Sequence, residues 1–250
     1  MKKRVLMIAL ALLTLGLLSV KISPISAPPT SPYIAVVPSP SDPIMINWDF
    51  TVSISTDYYN ETQDVWGWNV LLTFNPAVLE VIEVANGDLI TTAKDSSATF
   101  VSHINNTIGE VSTGAFFYYA QPATPYTTNG PGVLVSITFR GIGTGYSNIT
   151  LEKETILQRY DPWTTPEVYN IVDAYIQPDN VGHGTVMVTI PGDVTYDKTV
   201  DVFDILKIKY HRSGPPPGPG GFNPSVDVNQ DGSIDVFDIL VAKAHLGESW

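Results

Sequence analysis

Two twelve-residue segments near the C-terminus, Asp193-Val-Thr-Tyr-Asp-Lys-Thr-Val-Asp-Val-Phe-Asp204 and Asp227-Val-Asn-Gln-Asp-Gly-Ser-Ile-Asp-Val-Phe-Asp238, repeat one another at an offset of 34 residues. The hexapeptide Asp-Val-Phe-Asp-Ile-Leu is identical at 201–206 and 235–240, and Lys209/Lys243 and His211/His245 keep the same offset. Residues 192–250 hold eight aspartates, and all eight fall at positions 1, 5, 9 or 12 of these segments. A merely solvated acidic face has no reason to sort that way. Calcium does supply one, because it takes about six to eight oxygen ligands from a tight loop of about twelve residues. Positions 1, 3 and 5 of such a loop give side chains, position 7 a backbone carbonyl, and positions 9 and 12 close the sphere.

In the second copy those positions are Asp227, Asn229, Asp231, Ser233, Asp235 and Asp238, with Gly232 at position 6, where the turn needs a residue that tolerates positive φ. In the first copy they are Asp193, Thr195, Asp197, Thr199, Asp201 and Asp204. Thr195 is a poorer ligand than Asn229, and Lys198 replaces the glycine, which costs about 1 kcal/mol if the backbone is left-handed there. The pattern therefore predicts two Ca2+ sites, a stronger one in 227–238 and a weaker one in 193–204. A helix is expected after each loop, with Asp201 and Asp235 as caps and Asp204 and Asp238 three residues on, as in a capping box. Val202, Ile205, Leu206 and Ile208 give one helix an apolar stripe; Val236, Ile239, Leu240 and Leu246 give the other its stripe. Pro191-Gly192 and Pro224 argue against a helix before either loop, so each copy reads as half an EF-hand. Between the copies, residues 214–221 are a Pro/Gly linker.

Two half-EF-hands in tandem, with apolar exit helices and a linker, closely resemble the dockerin family across 192–250. The resemblance implies calcium-dependent folding and docking to a cohesin domain. Loop positions 10 and 11 help to choose the partner in that family. Here they are Val202-Phe203 and Val236-Phe237, apolar where the best-known cellulosomal members carry hydroxyl residues. Because the two copies match, either helix could dock. Packing of the module onto its own β-domain is an open alternative.

Upstream, residues 28–43 are rich in Pro and Ser and read as an extended lead-in. From 44 to 190 the chain shows short apolar runs separated by turn residues. Phe50, Val52 and Ile54 alternate, as do Val133, Val135, Ile137 and Phe139. Trp66 to Phe74 is closed by Asn75-Pro76, Val78 to Val84 ends at Asn86-Gly87-Asp88, and Asn148–Leu151 and Thr185–Ile190 complete the set. This is a mostly β, β-sandwich pattern. Trp68-Asn-Val-Leu-Leu-Thr-Phe-Asn-Pro-Ala-Val-Leu-Glu-Val, then Asn86-Gly-Asp-Leu, then Gly130-Pro-Gly-Val-Leu-Val-Ser-Ile-Thr-Phe139 resemble the cohesin family. That resemblance implies a nine-stranded jelly roll shared with some carbohydrate-binding modules. It also implies cohesin-type and dockerin-type domains of other chains, or of a second copy, as partners.

At the N-terminus, Lys2, Lys3 and Arg4 precede an apolar run from Val5 to Val20 and then Ser23, Pro24, Ser26 and Ala27, which reads as a signal peptide over 1–27. Export to the exterior or cell surface is expected, with a membrane anchor only if this segment stays uncleaved. Its loss removes four positive charges and moves the formal charge from −12 to −16, which disfavours nucleic acid as a partner. The absence of cysteine excludes disulfides and thiolate sites. Sequons stand at Asn60, Asn105 and Asn148. The histidines, His103, His183, His211 and His245, form no catalytic motif, and the chain reads as non-catalytic. The alternative function is a carbohydrate-binding sandwich carried by a dockerin in polysaccharide recognition or breakdown. It rests on Trp66, Trp68, Phe116-Phe-Tyr-Tyr119, Tyr160 and Trp163.

Overall fold

The computed structural model describes residues 34–38, 43–57, 65–88, 98–117, 132–152, 155–161, 170–175, 181–213 and 218–250. The signal segment lies outside these ranges, as do linker residues 214–217. Among the described residues no helix is long and apolar enough to cross a membrane.

The chain is mostly β. Its strands are β1 (Ile34–Val37), β2 (Ile44–Met45), β3 (Asp49–Thr56), β4 (Val65–Thr73), β5 (Leu79–Asn86), β6 (Ala98–Asn105), β7 (Glu110–Phe117), β8 (Gly132–Gly141), β9 (Gly145–Leu151), β10 (Ile156–Asp161), β11 (Asn170–Tyr175), β12 (Val181–Gly182) and β13 (Gly184–Thr189). Helices α1 (Val202–His211) and α2 (Val236–Ala244) follow. Five strands form one sheet in the order β12-β1-β3-β8-β5. The other sheet runs β11-β10-β4-β9-β13-β2, with β7 paired to β4 and β6 to β7. Neighbours are antiparallel except for the short parallel pairs β1–β12 and β2–β13.

The alternation read in the sequence puts one face of each sheet inward. Val52, Ile54, Ile137 and Phe139 meet Val70, Leu72, Val111, Ile149 and Val186 in one buried core. Burying each such side chain is worth about 1.5–3 kcal/mol. Phe139 stacks on Phe50 with ring centres 5.5 Å apart and meets the edge of Phe74 at 5.4 Å. On the outward face the hydroxyls of Thr51 and Thr138 lie 2.9 Å apart, and those of Ser53 and Ser136 3.1 Å apart.

Strict alternation is broken where β3 pairs with β8. A register shift between Ile54 and Ser55 pairs Val135 with Ile54 and Val133 with Ser55. The skipped residue, Leu134, is fully buried while Val133 is only half-buried. Residues 34–37 are extended, as expected, but they are a core strand and not a lead-in. β1 pairs with β3 from Ile34↔Thr56 to Val37↔Ser53 and buries Ile34 and Val36.

A second core joins the C-terminal module to one end of the sandwich. Met45 and Ile190 pack with Val194, Val200, Ile208, Val226, Val228, Ile234 and Ala242. Gly192 sits at the junction with φ +98°, and a Cβ there would lie 2.5 Å from Ala242 Cα, so only glycine fits.

Candidate metal-binding and docking site

The two loops fold alike at their first and last positions, with small differences in donors. Asp193 accepts the N–H of Asp197 at 3.2 Å and of Lys198 at 3.1 Å; Asp227 accepts those of Asp231 at 3.2 Å and Gly232 at 2.9 Å. At position 12, Asp204 accepts from the N–H and hydroxyl of Thr195 and from the N–H of Asp201, at 2.8–2.9 Å. Asp238 accepts the N–H groups of Val228 at 2.7 Å, Asn229 at 3.2 Å and Asp235 at 2.7 Å. Left-handed backbone falls at positions 4 and 6 of both loops: Tyr196 (+62°) and Lys198 (+75°), then Gln230 (+56°) and Gly232 (+86°). Lys198 thus adopts the strained conformation its position demands.

Each loop buries two carboxylates. Asp193, Asp204 and Asp238 are fully buried and Asp227 nearly so. Burial pushes the Asp193 carboxyl above the ordinary carboxylate range, with the Asp204 charge adding to the shift against the Thr189 hydroxyl bond. Burial raises Asp238 as well, with the Asp227 charge adding and backbone N–H bonds opposing. Like charges confined together in an oxygen-only donor set fit a hard divalent cation. Among the described residues no three acidic or imidazole groups converge on one point. The loop carboxylates are instead turned onto backbone N–H groups.

Both helices start as the sequence suggests. Asp201 accepts from Phe203 N–H and Asp235 from Phe237 N–H, each at 2.7 Å, and both capping boxes are complete. The stripes, however, are divided. Ile208 is buried and Ile205 and Ile239 are half-buried against the second core, whereas Val202, Leu206, Val236 and Leu240 are exposed. Leu246 lies beyond α2 and is exposed, because the helix ends at Ala244. A single turn of 3-10 helix over Pro224–Val226 precedes the second loop, since proline is tolerated in a first turn. Phe203 is 63% exposed and Phe237 59%, at matching places on the two helices. The module does pack on its own sandwich, but by its other side. Leu206 and Leu240 extend this face beyond the two pairs marked in the sequence; their identity in the two copies was the available signal.

Of the rings offered for sugar stacking, Trp68 is 3% exposed in the core beside Phe100, and Phe116 is partly exposed. Tyr118, Tyr119 and Trp163, and the side chains of Trp66, Phe117 and Tyr160, lie outside the described residues. Trp68 is therefore a core residue, as every second position of a strand facing a second sheet must be.

The family model for the cohesin domain matches residues 48–158, and that for the dockerin type I domain matches residues 191–247. The chain carries a cohesin domain over 48–158 followed by a type I dockerin domain over 191–247. Solved structures similar to it include the third cohesin of ScaC from Acetivibrio cellulolyticus, in complex with the ScaB dockerin. That one is 18% identical, with 62% of this chain and 98% of that one covered and a TM-score of 0.43. A type II cohesin from the cellulosome of the same organism is 14% identical, covering 62% and 94%, with a TM-score of 0.44. The cohesin module of a Clostridium perfringens family 33 glycoside hydrolase is 11% identical, covering 63% and 98%, with a TM-score of 0.42. No curated protein matches the sequence. Cohesin and dockerin domains are assembly modules that pair with one another, and type I dockerins bind calcium.

Proposed function

We propose that the dockerin holds two calcium ions and offers its helices to a cohesin of another chain, while the cohesin domain receives a dockerin in turn. The protein is then an exported link in an assembly outside the cell or at its surface. One ion is held by Asp227, Asn229, Asp231, the Ser233 carbonyl, Asp235 and Asp238; the other, more weakly, by Asp193, Thr195, Asp197, the Thr199 carbonyl, Asp201 and Asp204. Calcium, when bound, supplies the positive charge that lets the buried carboxylates stay ionised together. The observation that carries the docking reading is the duplicate Val-Phe pair. It is exposed on both helices, although the module is already seated on its own sandwich by the opposite side.

Lys207 supports the weaker first site. Its counterpart in the second copy is Val241. Its ammonium donates to the carbonyl of Val194. Burial pushes its pKa down, against the raising effect of the Asp204 and Asp193 charges nearby. That ammonium repels a cation entering the first loop.

Calorimetric titration of the intact chain with calcium, with circular dichroism before and after chelator, tests the proposal. Two unequal sites and a gain of helix are expected, together with calcium-dependent capture by immobilised cohesin domains. No heat and no change in helix content would sink it.

A pH dependence follows from Asp193 and Asp238. Without calcium, the folded state holds their protons more tightly than the unfolded chain does. Their contribution to stability is therefore greatest below the ordinary carboxylate value of 3.8 and is lost as pH rises through the raised values. Calcium binds the deprotonated forms, so loading removes this loss. The gap in Tm between calcium-loaded and chelated protein should widen as pH rises through that window; a constant gap in thermal scans would contradict the assignment.

A further inference from the structure

The sandwich reaches a proposed ligand of the first loop. Thr189, the last residue of β13, donates its hydroxyl hydrogen to Asp193 Oδ2 at 2.5 Å, and both residues are fully buried. The indole N–H of Trp250 donates to the same Thr189 oxygen at 3.1 Å. This relay holds the position-1 carboxylate in one orientation before any ion arrives. A second tie acts on the same loop. The Lys198 ammonium lies 4.6 Å from the centre of the Trp250 ring and 5.4 Å from that of Tyr146 on β9, and the two rings are 6.1 Å apart. Cation–π contacts of this kind are worth about 0.5–2 kcal/mol, comparable with the cost of a left-handed lysine. The residue that replaces the turn glycine is thus the one that fastens the loop to the sandwich. The second loop is held differently. There the Trp48 indole N–H donates at 3.0 Å to the carbonyl of Val228, at loop position 2, which is not a ligand position.

We propose that Thr189 and Trp250 are positioning residues of the first calcium loop, so that loop 193–204 takes calcium at full affinity only while the β-sandwich is folded against its first ligand. The proposal rests on the calcium reading above. Coupling of this sort is reciprocal, so calcium in the first loop also stabilises the sandwich.

Calcium titration calorimetry on the intact chain tests this with Thr189→Val, Thr189→Ser and Trp250→Phe, each checked for fold by far-ultraviolet circular dichroism. Thr189→Val should weaken one of the two constants, the weaker one, by about tenfold or more, as expected for loss of a hydrogen bond to a charged group. The other constant should stay within about twofold. Thr189→Ser should restore the lost affinity, which a purely structural role does not require. Trp250→Phe keeps a ring and removes the N–H, and should weaken the same constant; it decides the matter if Thr189→Val does not fold. Two unchanged constants in a folded Thr189→Val chain overturn the proposal, as do equal losses at both sites. A wild-type chain that takes up no calcium overturns the calcium reading itself, and this inference with it.

Discussion

Asp238→Ala should remove one calcium site and melt α2, the largest effect expected of any single substitution in the dockerin. The carboxylate is fully buried and accepts three backbone N–H groups, from Val228, Asn229 and Asp235. Alanine leaves those donors without their acceptor, at about 1–3 kcal/mol for each that stays buried, and abolishes half of the capping box. It also removes the proposed position-12 ligand. A site held at a thousandfold excess of calcium over its dissociation constant contributes about 4 kcal/mol to stability, and that too is lost. Modules of this size rarely draw more than about 3–5 kcal/mol from a single core, so the losses exceed what the module can spare. Calorimetry should show one site fewer, and the circular dichroism of the loaded variant should fall toward that of the chelated wild type. Asp204→Ala should do less, because α1 follows a loop that is also held through Thr189 and Lys198. An Asp238→Ala chain with full stoichiometry and unchanged helix would remove Asp238 from the ligand set.

What could be read in the sequence was what is local. The loop aspartates lie within twelve residues of one another and the caps within three, so spacing alone exposed the repeat and both capping boxes. Alternation gave the sandwich for a similar reason: one period of two sets a whole strand's face. It failed at Leu134, where a bulge adds a residue that no pattern of Val and Ile announces. It failed at Ile34–Val37 because four strand residues are framed by prolines, whose composition outweighs so short a run. The seam was illegible. Trp48 and Tyr146 stand far from the loops in sequence and reach them only through the packing of the module on the sandwich, while Thr189 and Trp250 lie nearer but belong to no motif. The reason for a lysine at position 198 became visible only there. Within the helices, the apolar residues could be found but not assigned. A residue turned inward, such as Ile208, and one turned outward, such as Phe203, are equally apolar, and which face is covered depends on the seam.

That division of faces governs the second large effect. Phe203→Asp and Phe237→Asp, made singly, should each cost no more than about twofold in affinity for a cohesin that captures the wild-type chain, the loss expected when one of two equivalent faces is removed. Made together they should cost at least about a hundredfold. Aromatic side chains at the centre of an interface commonly carry 2 kcal/mol or more each, and an aspartate in their place must be desolvated without a partner. Neither substitution should disturb the fold, since both rings are exposed and both helices are capped through backbone N–H groups that aspartate also provides. Surface plasmon resonance on immobilised cohesins, with calcium, gives the three affinities, and circular dichroism checks the helices. If Phe203→Asp alone abolishes capture, α1 is the docking helix and the repeat serves calcium rather than a choice of poses. If the double variant binds as the wild type does, docking uses neither Val-Phe pair. The exposed face would then need another reason for leaving two phenylalanines in water, where burying each against a partner is worth about 1.5–3 kcal/mol.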